Sequence, residues 1–316
     1  MAKEKQEKKP DYMDADWSGL IRDRLGKWER MWEEYAAEGK IPVPLWPEGK
    51  LPVPHTEGFA PRLLVYPAHE GEARGIFIVC AGGGFMFQSS NEAKPVADFF
   101  YAKGINVAVL DYNTDPARGM SLEGREVQEA AGADAARAIR TIRYHAKEWN
   151  IRPDKIAIGG FSAGGGVTGM AGTMFDYGNP EAEDPIERVS SRPDACLIIY
   201  SAFTADATCI GGENRRYSFA GQNEHLKNSK MCWEQNLRLD CPPFFVTQTC
   251  WDDPRGSLRL GLQLANRGIV SEVHTFEEGP HGGGLYNGQD EDSPHYPHTM
   301  LWAEVAADWL KVNREF

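Results

Sequence analysis

The sequence lacks a long apolar run, and its first ten residues lack the apolar core of a secretory signal. Its longest apolar stretches, such as Ala195–Phe203, fall well short of the ~18 residues that a membrane-spanning helix needs. A secretory signal places roughly 7–15 apolar residues after a basic start, whereas residues 1–10 are mostly charged. We therefore expect no contact with a membrane and a cytoplasmic location.

The sequence is also poor in basic charge and in cysteine. Its 34 basic and 46 acidic side chains leave a formal net charge of −12, which argues against a nucleic-acid partner because such proteins need a basic face. The six cysteines form no Cys-x-x-Cys pair and have no histidine at zinc spacing. We therefore predict reduced, mostly buried thiols, and we expect neither a metal nor a cofactor.

Residues 1–58 differ in pattern from the rest of the chain. Residues 1–10 predict a disordered tail, and apolar side chains then recur every three or four positions from Trp17, which predicts an amphipathic helix ending near Gly39. The proline-rich stretch 41–54 predicts an extended arm on the main domain. The apolar helix face must pack on the main domain or on a second copy, so a homo-oligomer formed through this N-terminal arm is one of two predictions.

Residues 59–316 form the second predicted unit, in which strands alternate with helices. Apolar β-branched runs predict strands at Leu63–Tyr66, Ile76–Cys80, Val107–Asp111, Lys155–Gly159, Ala195–Tyr200, Phe244–Thr249 and Glu272–Phe276. Helices are predicted at Glu92–Lys103, Glu126–Trp149, Ala163–Phe175, Gly256–Arg267 and His298–Val312. This alternation is typical of an α/β fold with a mostly parallel sheet and helices on both faces. Residues 201–240 break it and predict a small insertion after the strand Ala195–Tyr200.

The segment Gly160-Phe161-Ser162-Ala163-Gly164 matches G-x-S-x-G between a predicted strand and a predicted helix. In such a nucleophile elbow, small residues on either side of the serine let the backbones nearly touch, and the turn lifts the hydroxyl clear of the sheet. The alternative is a glycine-rich turn that cradles a phosphate, but no G-K-[S/T] follows it. The pattern therefore favours Ser162 as a nucleophile.

Three consecutive glycines, Gly82–Gly84, follow the predicted strand Ile76–Cys80. Such a backbone can turn its N–H groups outward, which an oxyanion hole requires beside the N–H that follows the serine. The alternative is a flexible loop, or glycines needed only for close packing. Because an elbow lies downstream, the oxyanion interpretation is favoured.

A serine nucleophile needs a base and an acid that orients the base, and in this arrangement they follow in the order Ser, Asp or Glu, His. Asp252 and Asp253 follow the strand predicted at Phe244–Thr249, and His281 follows the strand predicted at Glu272–Phe276. His281 is thus the predicted base. Either aspartate could be the acid, and Asp252 is favoured.

Five segments together resemble α/β-hydrolase esterases, and most closely the microbial acetylxylan and feruloyl esterases. They are Ala-Gly-Gly-Gly-Phe (81–85), Ile-Gly-Gly-Phe-Ser-Ala-Gly-Gly (158–165), Arg-Pro-Asp-Ala-Cys-Leu-Ile-Ile-Tyr (192–200), Trp-Asp-Asp-Pro (251–254) and Glu-Gly-Pro-His-Gly (278–282). The resemblance runs from about Ile41 to the C-terminus and implies the α/β-hydrolase fold, with 59–316 as the catalytic domain. The family usually has proline where this chain has Ala81.

The resemblance also implies a role for individual residues. Ser162 is expected to be the nucleophile, His281 the base and Asp252 the orienting acid. The oxyanion hole is expected to use the N–H groups of Gly82, Gly83 and Ala163. Aromatic rings can stack on sugar faces, so three residues near the predicted site are candidates for substrate binding: Phe85, Phe161 and Trp251.

The function expected from these motifs is a serine carboxylesterase that removes acyl groups, acetyl first among them, from a sugar or xylo-oligosaccharide. One alternative is an esterase for feruloyl or other small esters. A peptidase or amidase is a weaker alternative, because peptidases of this fold usually carry an extra gating domain. A catalytically inactive binding protein on the same scaffold is weaker still, because such proteins usually lose a triad residue.

Overall fold

The structure is a computed structural model that describes residues 17–119, 125–201, 236–289 and 292–316. The predicted tail 1–10 and most of the predicted insertion 201–240 lie outside the described residues. In the described part, none of the helices combines the length and the apolar character needed to cross a bilayer.

Eight strands form one sheet in the order β1-β2-β4-β3-β5-β6-β7-β8. They are β1 (Val43–Pro44), β2 (Arg62–Val65), β3 (Arg74–Cys80), β4 (Asn106–Asp111), β5 (Ile151–Phe161), β6 (Ala195–Ile199), β7 (Phe244–Thr249) and β8 (Ser271–Phe276). β2 pairs antiparallel with β1 and β4, and the other neighbours pair in parallel. The predicted mostly parallel sheet is confirmed.

Helices cover both faces of this sheet. They are α1 (Trp17–Ala37), α2 (Lys94–Ala102), α3 (Arg125–His145), α4 (Ala163–Thr173), α5 (Arg255–Asn266) and α6 (Leu301–Asp308), the last continued by a π-helical turn at Trp309–Asn313. Short 3-10 turns lie at Ser90–Glu92, Pro185–Arg188 and Cys250–Asp252. Side chains of α1, α2 and α6 pack on one face, and those of α3, α4 and α5 pack on the other.

The central strands are apolar throughout because both of their faces are buried. In β3, Phe77 and Val79 join the apolar cluster on the α1 side, whereas Ile76 and Ile78 join the cluster on the α3 side. Successive side chains of a strand point to opposite faces, so a strand covered on both sides must be apolar at every position. Such a strand loses the alternation that marks a half-exposed one.

The proline-rich arm adds one strand that its composition did not predict. Val43 and Pro44 pair with Leu63 and Arg62 at the edge of the sheet. Pro44 is tolerated there because an edge strand has one side on which no N–H donor is required. The division at residue 58 stays a prediction, and β1 is the point where the arm joins the sheet of the second unit.

The apolar face of α1 is buried within its own chain. Trp28, Met31, Trp32 and Tyr35 pack in the cluster that covers one face of the sheet. Of the two predicted coverings, the main domain is therefore the one seen. Among the cysteines, Cys80, Cys196 and Cys241 are buried and unpaired and Cys250 is exposed, whereas Cys209 and Cys232 lie outside the described residues.

Candidate active site

Ser162 occupies the tight turn between β5 and α4. Its backbone is at φ 50° and ψ −115°, a conformation that non-glycine residues rarely adopt. A Cβ added to Gly160 would lie 2.2 Å from the carbonyl oxygen of Gly164, and one added to Gly164 would lie 2.1 Å from that of Cys80. The two motif glycines are thus required by contact between backbones, as a nucleophile elbow demands.

Ser162, His281 and Asp252 form one hydrogen-bonded chain. The Ser162 hydroxyl donates to Nε2 of His281 at 2.8 Å, and Nδ1 of His281 lies 2.5 Å from Oδ2 of Asp252. An ionised carboxylate only accepts, so we assign the ring proton to Nδ1, which leaves Nε2 free to accept the serine proton. The structure therefore brings together the three residues that were predicted from separate strand ends.

The loop that carries His281 is anchored by side-chain hydrogen bonds to its carbonyl groups. Thr249, at the end of β7, donates to the carbonyl of Gly279 at 2.7 Å, and Thr299 donates to that of Glu278 at 2.7 Å. The hydroxyl of Tyr286 donates to the carbonyl of Pro280 at 2.8 Å. These bonds fix the backbone just before His281 and so limit where its ring can lie.

Asp253 points to a different partner than Asp252 does. Its backbone is left-handed, with φ 48°, and its Oδ1 accepts from the backbone N–H of Arg255 at 3.2 Å and from Nε of the same residue at 2.7 Å. Asp252 is the aspartate that contacts the imidazole. Asp253 instead ties the loop to the start of α5.

The pKa of His281 is raised from its ordinary value by its two acidic neighbours. Burial lowers the pKa, but the charge and hydrogen bond of Asp252 and the charge of Glu92 outweigh burial. The imidazolium form is thereby stabilised, which is the form that arises when the ring takes a proton from Ser162.

The oxyanion donors differ from the predicted set at one position. The N–H of Gly82 donates to Oε2 of Glu92 at 2.6 Å, so it is already committed and Gly82 has to be removed from the predicted set. Within the described residues, the N–H groups of Gly83, Gly84 and Ala163 have no acceptor. Ala163 opens α4, where the first backbone N–H groups have no partner inside the helix. Gly83 and Ala163 thus remain candidate donors, and Gly84 joins them.

Two of the three predicted substrate-binding rings are packed inside the protein. Phe85 and Phe161 are both 0% exposed; Phe85 packs against Tyr112, and Phe161 against Trp302. Neither ring has a free face for a sugar, so both predictions are corrected: these rings belong to the core under the loops. Trp251 is 41% exposed and stays a candidate.

Two buried residues that adjoin the triad, Glu92 and Tyr200, were not predicted from the sequence as part of the site. Oε1 of Glu92 accepts from the hydroxyl of Tyr200 at 2.7 Å, and the ring of Tyr200 lies edge-on to that of His281 at 5.2 Å. Glu92 follows no catalytic motif, and its charge alone would predict a surface position. Across the described residues, no group of three or more acidic, histidine or cysteine side chains is placed to bind a metal.

The sequence matches the BD-FAE family profile over residues 64–195. Among solved structures, the acetyl ester-xyloside bifunctional hydrolase from Caldicellulosiruptor lactoaceticus is similar with a TM-score of 0.72 and 27% identity, over 87% of this chain and 96% of that one. The chain has the α/β-hydrolase fold and resembles microbial carbohydrate esterases.

Two curated relatives of this chain bear carbohydrate-directed names. Endo-1,4-beta-xylanase B of Butyrivibrio fibrisolvens is 28% identical over 89% of this chain and 45% of that protein. Acetylxylan esterase of Xylanibacter ruminicola is 27% identical over 71% of this chain and 44% of that protein. The chain thus spans a little under half the length of these relatives. The esterase class predicted from the motifs agrees with the name of the Xylanibacter ruminicola relative.

Proposed function

We propose that this α/β hydrolase is a serine esterase that removes acetyl groups from an acetylated sugar or xylo-oligosaccharide. The observation that carries the proposal is the hydrogen-bonded chain of Ser162, His281 and Asp252 beside the unbonded N–H groups of Gly83 and Ala163. The acetyl-sugar substrate is supported by the acetylxylan and acetyl ester-xyloside activities named for two similar proteins.

In the acylation half-reaction, Oγ of Ser162 attacks the ester carbonyl while Nε2 of His281 accepts the serine proton. The carbonyl oxygen becomes an oxyanion, which the N–H groups of Gly83, Gly84 and Ala163 stabilise. One such donor contributes about 3–4 kcal/mol to stabilising the transition state. The carbonyl re-forms, the bond to the alcohol breaks, and His281 returns the proton to the leaving oxygen. The products of this half-reaction are the free sugar hydroxyl and an acetylated Ser162.

In the deacylation half-reaction, His281 takes a proton from water, and the resulting hydroxide attacks the acetyl carbonyl. The same N–H groups receive the second oxyanion. When this intermediate collapses, Ser162 leaves and recovers its proton from His281, and acetic acid is released, which loses its proton to water to give acetate. Asp252 keeps the proton of His281 on Nδ1 throughout, so that Nε2 faces the serine in both halves.

The test is acetate release from acetylated xylo-oligosaccharides, compared with hydrolysis of a feruloyl ester, p-nitrophenyl acetate and acetanilide. We expect acetyl esters to be cleaved and the anilide to be spared, with activity lost in Ser162→Ala and one fluorophosphonate label mapped to Ser162. Preference for the feruloyl ester would replace the substrate while keeping the chemistry. If no label attaches and no ester is cleaved, the proposed function is wrong.

A further inference from the structure

A buried carboxylate, Glu92, lies between the glycine loop (Gly82–Gly84) and the histidine loop (residues 277–286) of the candidate site. It ends the short turn Ser90–Glu92 and is 2% exposed. One carboxylate oxygen accepts from the backbone N–H of Gly82 at 2.6 Å, and the other accepts from the hydroxyl of Tyr200 at 2.7 Å. The proposed reaction assigns no role to this residue. Burying a carboxylate costs free energy, so its position beside the triad requires an explanation.

The hydrogen-bond directions around Glu92 fit an ionised carboxylate. The backbone N–H of Gly284 donates to the hydroxyl oxygen of Tyr200 at 3.0 Å, which leaves the tyrosine proton directed at Glu92. Gly82 can only donate through its N–H. Both oxygens of Glu92 therefore accept, as those of an ionised carboxylate do, and hydrogen bonds to an ionised acceptor are stronger than those to a neutral one.

These contacts join the two loops that shape the site. On one side, a Cβ added to Gly82 would lie 2.9 Å from Cβ of Ser162 and 2.7 Å from Oε2 of Glu92. No side chain therefore fits at this position between Ser162 and Glu92. On the other side, Tyr200 reaches Gly284 and packs edge-on against the ring of His281.

The neighbouring residue strengthens the same connection. The side-chain amide of Asn91 donates to the carbonyl groups of Gly282 and Asp292, both at 3.1 Å. The turn Ser90–Glu92 thus holds the histidine loop by two consecutive residues, and through Gly82 it holds the glycine loop as well.

We propose that Glu92 is a positioning residue: its carboxylate fixes the glycine loop through Gly82 and the histidine loop through Tyr200, and its charge stabilises the His281 imidazolium. This inference rests on the proposed esterase function. Through Gly82, Glu92 holds the segment whose next N–H groups, those of Gly83 and Gly84, are free to meet the oxyanion.

The charged and titratable groups around Glu92 and His281 come from several elements. His281 faces Asp252 from the turn after β7, Glu92 from the turn before α2, and Tyr200 from the end of β6. Glu92 is also influenced by the charge of Arg24 on α1, and the charge of Glu92 raises the pKa of Tyr112 after β4 and of Tyr286 in the histidine loop, where burial is the larger cause. Burial raises the pKa of Glu92, and the bonds from Tyr200 and Gly82 oppose that rise.

The decisive variant is Glu92→Gln, which keeps the shape and removes the charge. We expect kcat to fall roughly 10- to 100-fold with little change in KM, less than the 10²–10³ that follows loss of an oxyanion donor itself. The acidic limb of the kcat/KM profile should move to lower pH, because the imidazolium loses a stabilising charge. Glu92→Asp keeps the charge and should keep the position of that limb while kcat falls.

A second readout separates this inference from the esterase proposal. The imidazole of His281 is titrated by NMR in the Ser162→Ala background, with and without Glu92→Gln, and with Asp134→Asn as a matched buried-carboxylate control. We expect only Glu92→Gln to lower the pKa of His281. This titration needs no substrate, so it still decides the matter if the parent protein cleaves no ester.

Three results would overturn the inference. One is a Glu92→Gln protein with parental kcat and an unchanged His281 titration. Another is a loss of kcat while the pKa of His281 stays in place, which would make Glu92 a purely structural residue. The third is an equal shift in the Asp134→Asn control, which would trace the effect to any buried carboxylate.

Discussion

Ser162 keeps its unusual backbone angles because hydrogen bonds on both sides hold its peptide groups in place. Its N–H donates to the carbonyl of Ile199 at 3.1 Å, and its own carbonyl accepts from the hydroxyl of Ser201 at 2.6 Å and the N–H of Gly166 at 3.2 Å. A residue at such angles costs on the order of 1–3 kcal/mol and persists only where the surrounding structure holds it. Both ends of the elbow are thus tied down, one to β6 and the other to α4.

The two neighbouring aspartates should differ sharply when each is replaced. Asp252→Asn should lower kcat by about 10⁴, because an amide can hold the imidazole in the wrong tautomer. Asp253→Asn should change kcat far less and act on stability instead, since its carboxylate bonds Arg255. Steady-state kinetics and thermal melts of both variants check this. Reversed losses would move the acid to Asp253, and equally small losses would place it elsewhere.

Activity should rise with pH through an apparent pKa above 6.5, the ordinary value for histidine. The base must be neutral, and a raised pKa keeps the imidazole protonated to a higher pH, so the onset of activity moves upward. A kcat/KM profile between about pH 5 and 9 measures it, with circular dichroism to show that the protein stays folded. A flat profile across this range would exclude a histidine base.

At the scale of elements, the proline-rich arm is fastened by a buried ion pair. His55 is bonded through Nε2 to Oδ1 of Asp134 on α3 at 2.9 Å and through Nδ1 to the carbonyl of Val53 at 2.9 Å. Trp46, within the arm that His55 directly follows, donates to the same oxygen of Asp134 at 2.7 Å. Because both acceptors face ring nitrogens, the arrangement favours the doubly protonated ring.

This ion pair should make the free energy of unfolding depend on pH. Burial lowers the pKa of His55, but the bond and charge of Asp134 outweigh it and raise the pKa above 6.5. The stabilisation is therefore full below about pH 6.5 and is lost as pH rises through the folded-state pKa. In urea titrations, the free energy of unfolding of His55→Ala should be lower than that of the parent by roughly 1.5–3 kcal/mol near pH 6. This difference should shrink towards pH 9.

The matched control for this pair is His145→Ala, whose ring lies on the surface beside Glu148. Surface ion pairs contribute about 0–1 kcal/mol, so its deficit should be small at every pH. A constant deficit for His55→Ala across the range would mean that the ring acts by packing and not by charge.

The elements differ in how well the sequence predicts them. The strand predicted at Phe244–Thr249 agrees with the structure at both ends, and the helix predicted from Ala163 begins there. β1 was missed because two consecutive edge residues, one of them proline, carry no strand pattern. The helix predicted to reach Trp149 ends at His145 and is followed by turns, in which the N–H of Trp149 still donates to the carbonyl of His145 at 2.9 Å.

At the scale of the whole molecule, strand existence could be predicted but strand order could not. β3 lies between β4 and β5, so neighbours in the sheet are not neighbours in the chain. The meeting of Ser162, Asp252 and His281 could still be predicted, because the carboxyl ends of parallel strands lie at the same edge of a sheet. The hydrogen bond from Gly82 to Glu92 could not be predicted, because it depends on one side chain that reaches back across a turn.

The folding of α1 onto its own chain leads to a prediction about stability and association. Trp32 packs edge-on against Trp28 at 6.0 Å and Tyr35 at 5.7 Å, and the guanidinium of Arg62 lies 3.9 Å from its ring centre. Removing such a ring leaves a cavity and unpairs a cation–π contact, so Trp32→Ala should lose about 3–5 kcal/mol. Trp32→Phe, which keeps a ring in place, should lose clearly less.

The decisive measurement is the dependence of both unfolding curves on protein concentration. Contacts within one chain shift the midpoint equally at any concentration, whereas contacts between copies stabilise more as concentration rises. We therefore expect the deficit of Trp32→Ala to be the same at two concentrations tenfold apart. A parent midpoint that rises with concentration, together with a variant midpoint that does not, would assign this face of α1 to a second copy. The N-terminal arm would then be the site of a homo-oligomer, the other covering that its apolar stripe allowed.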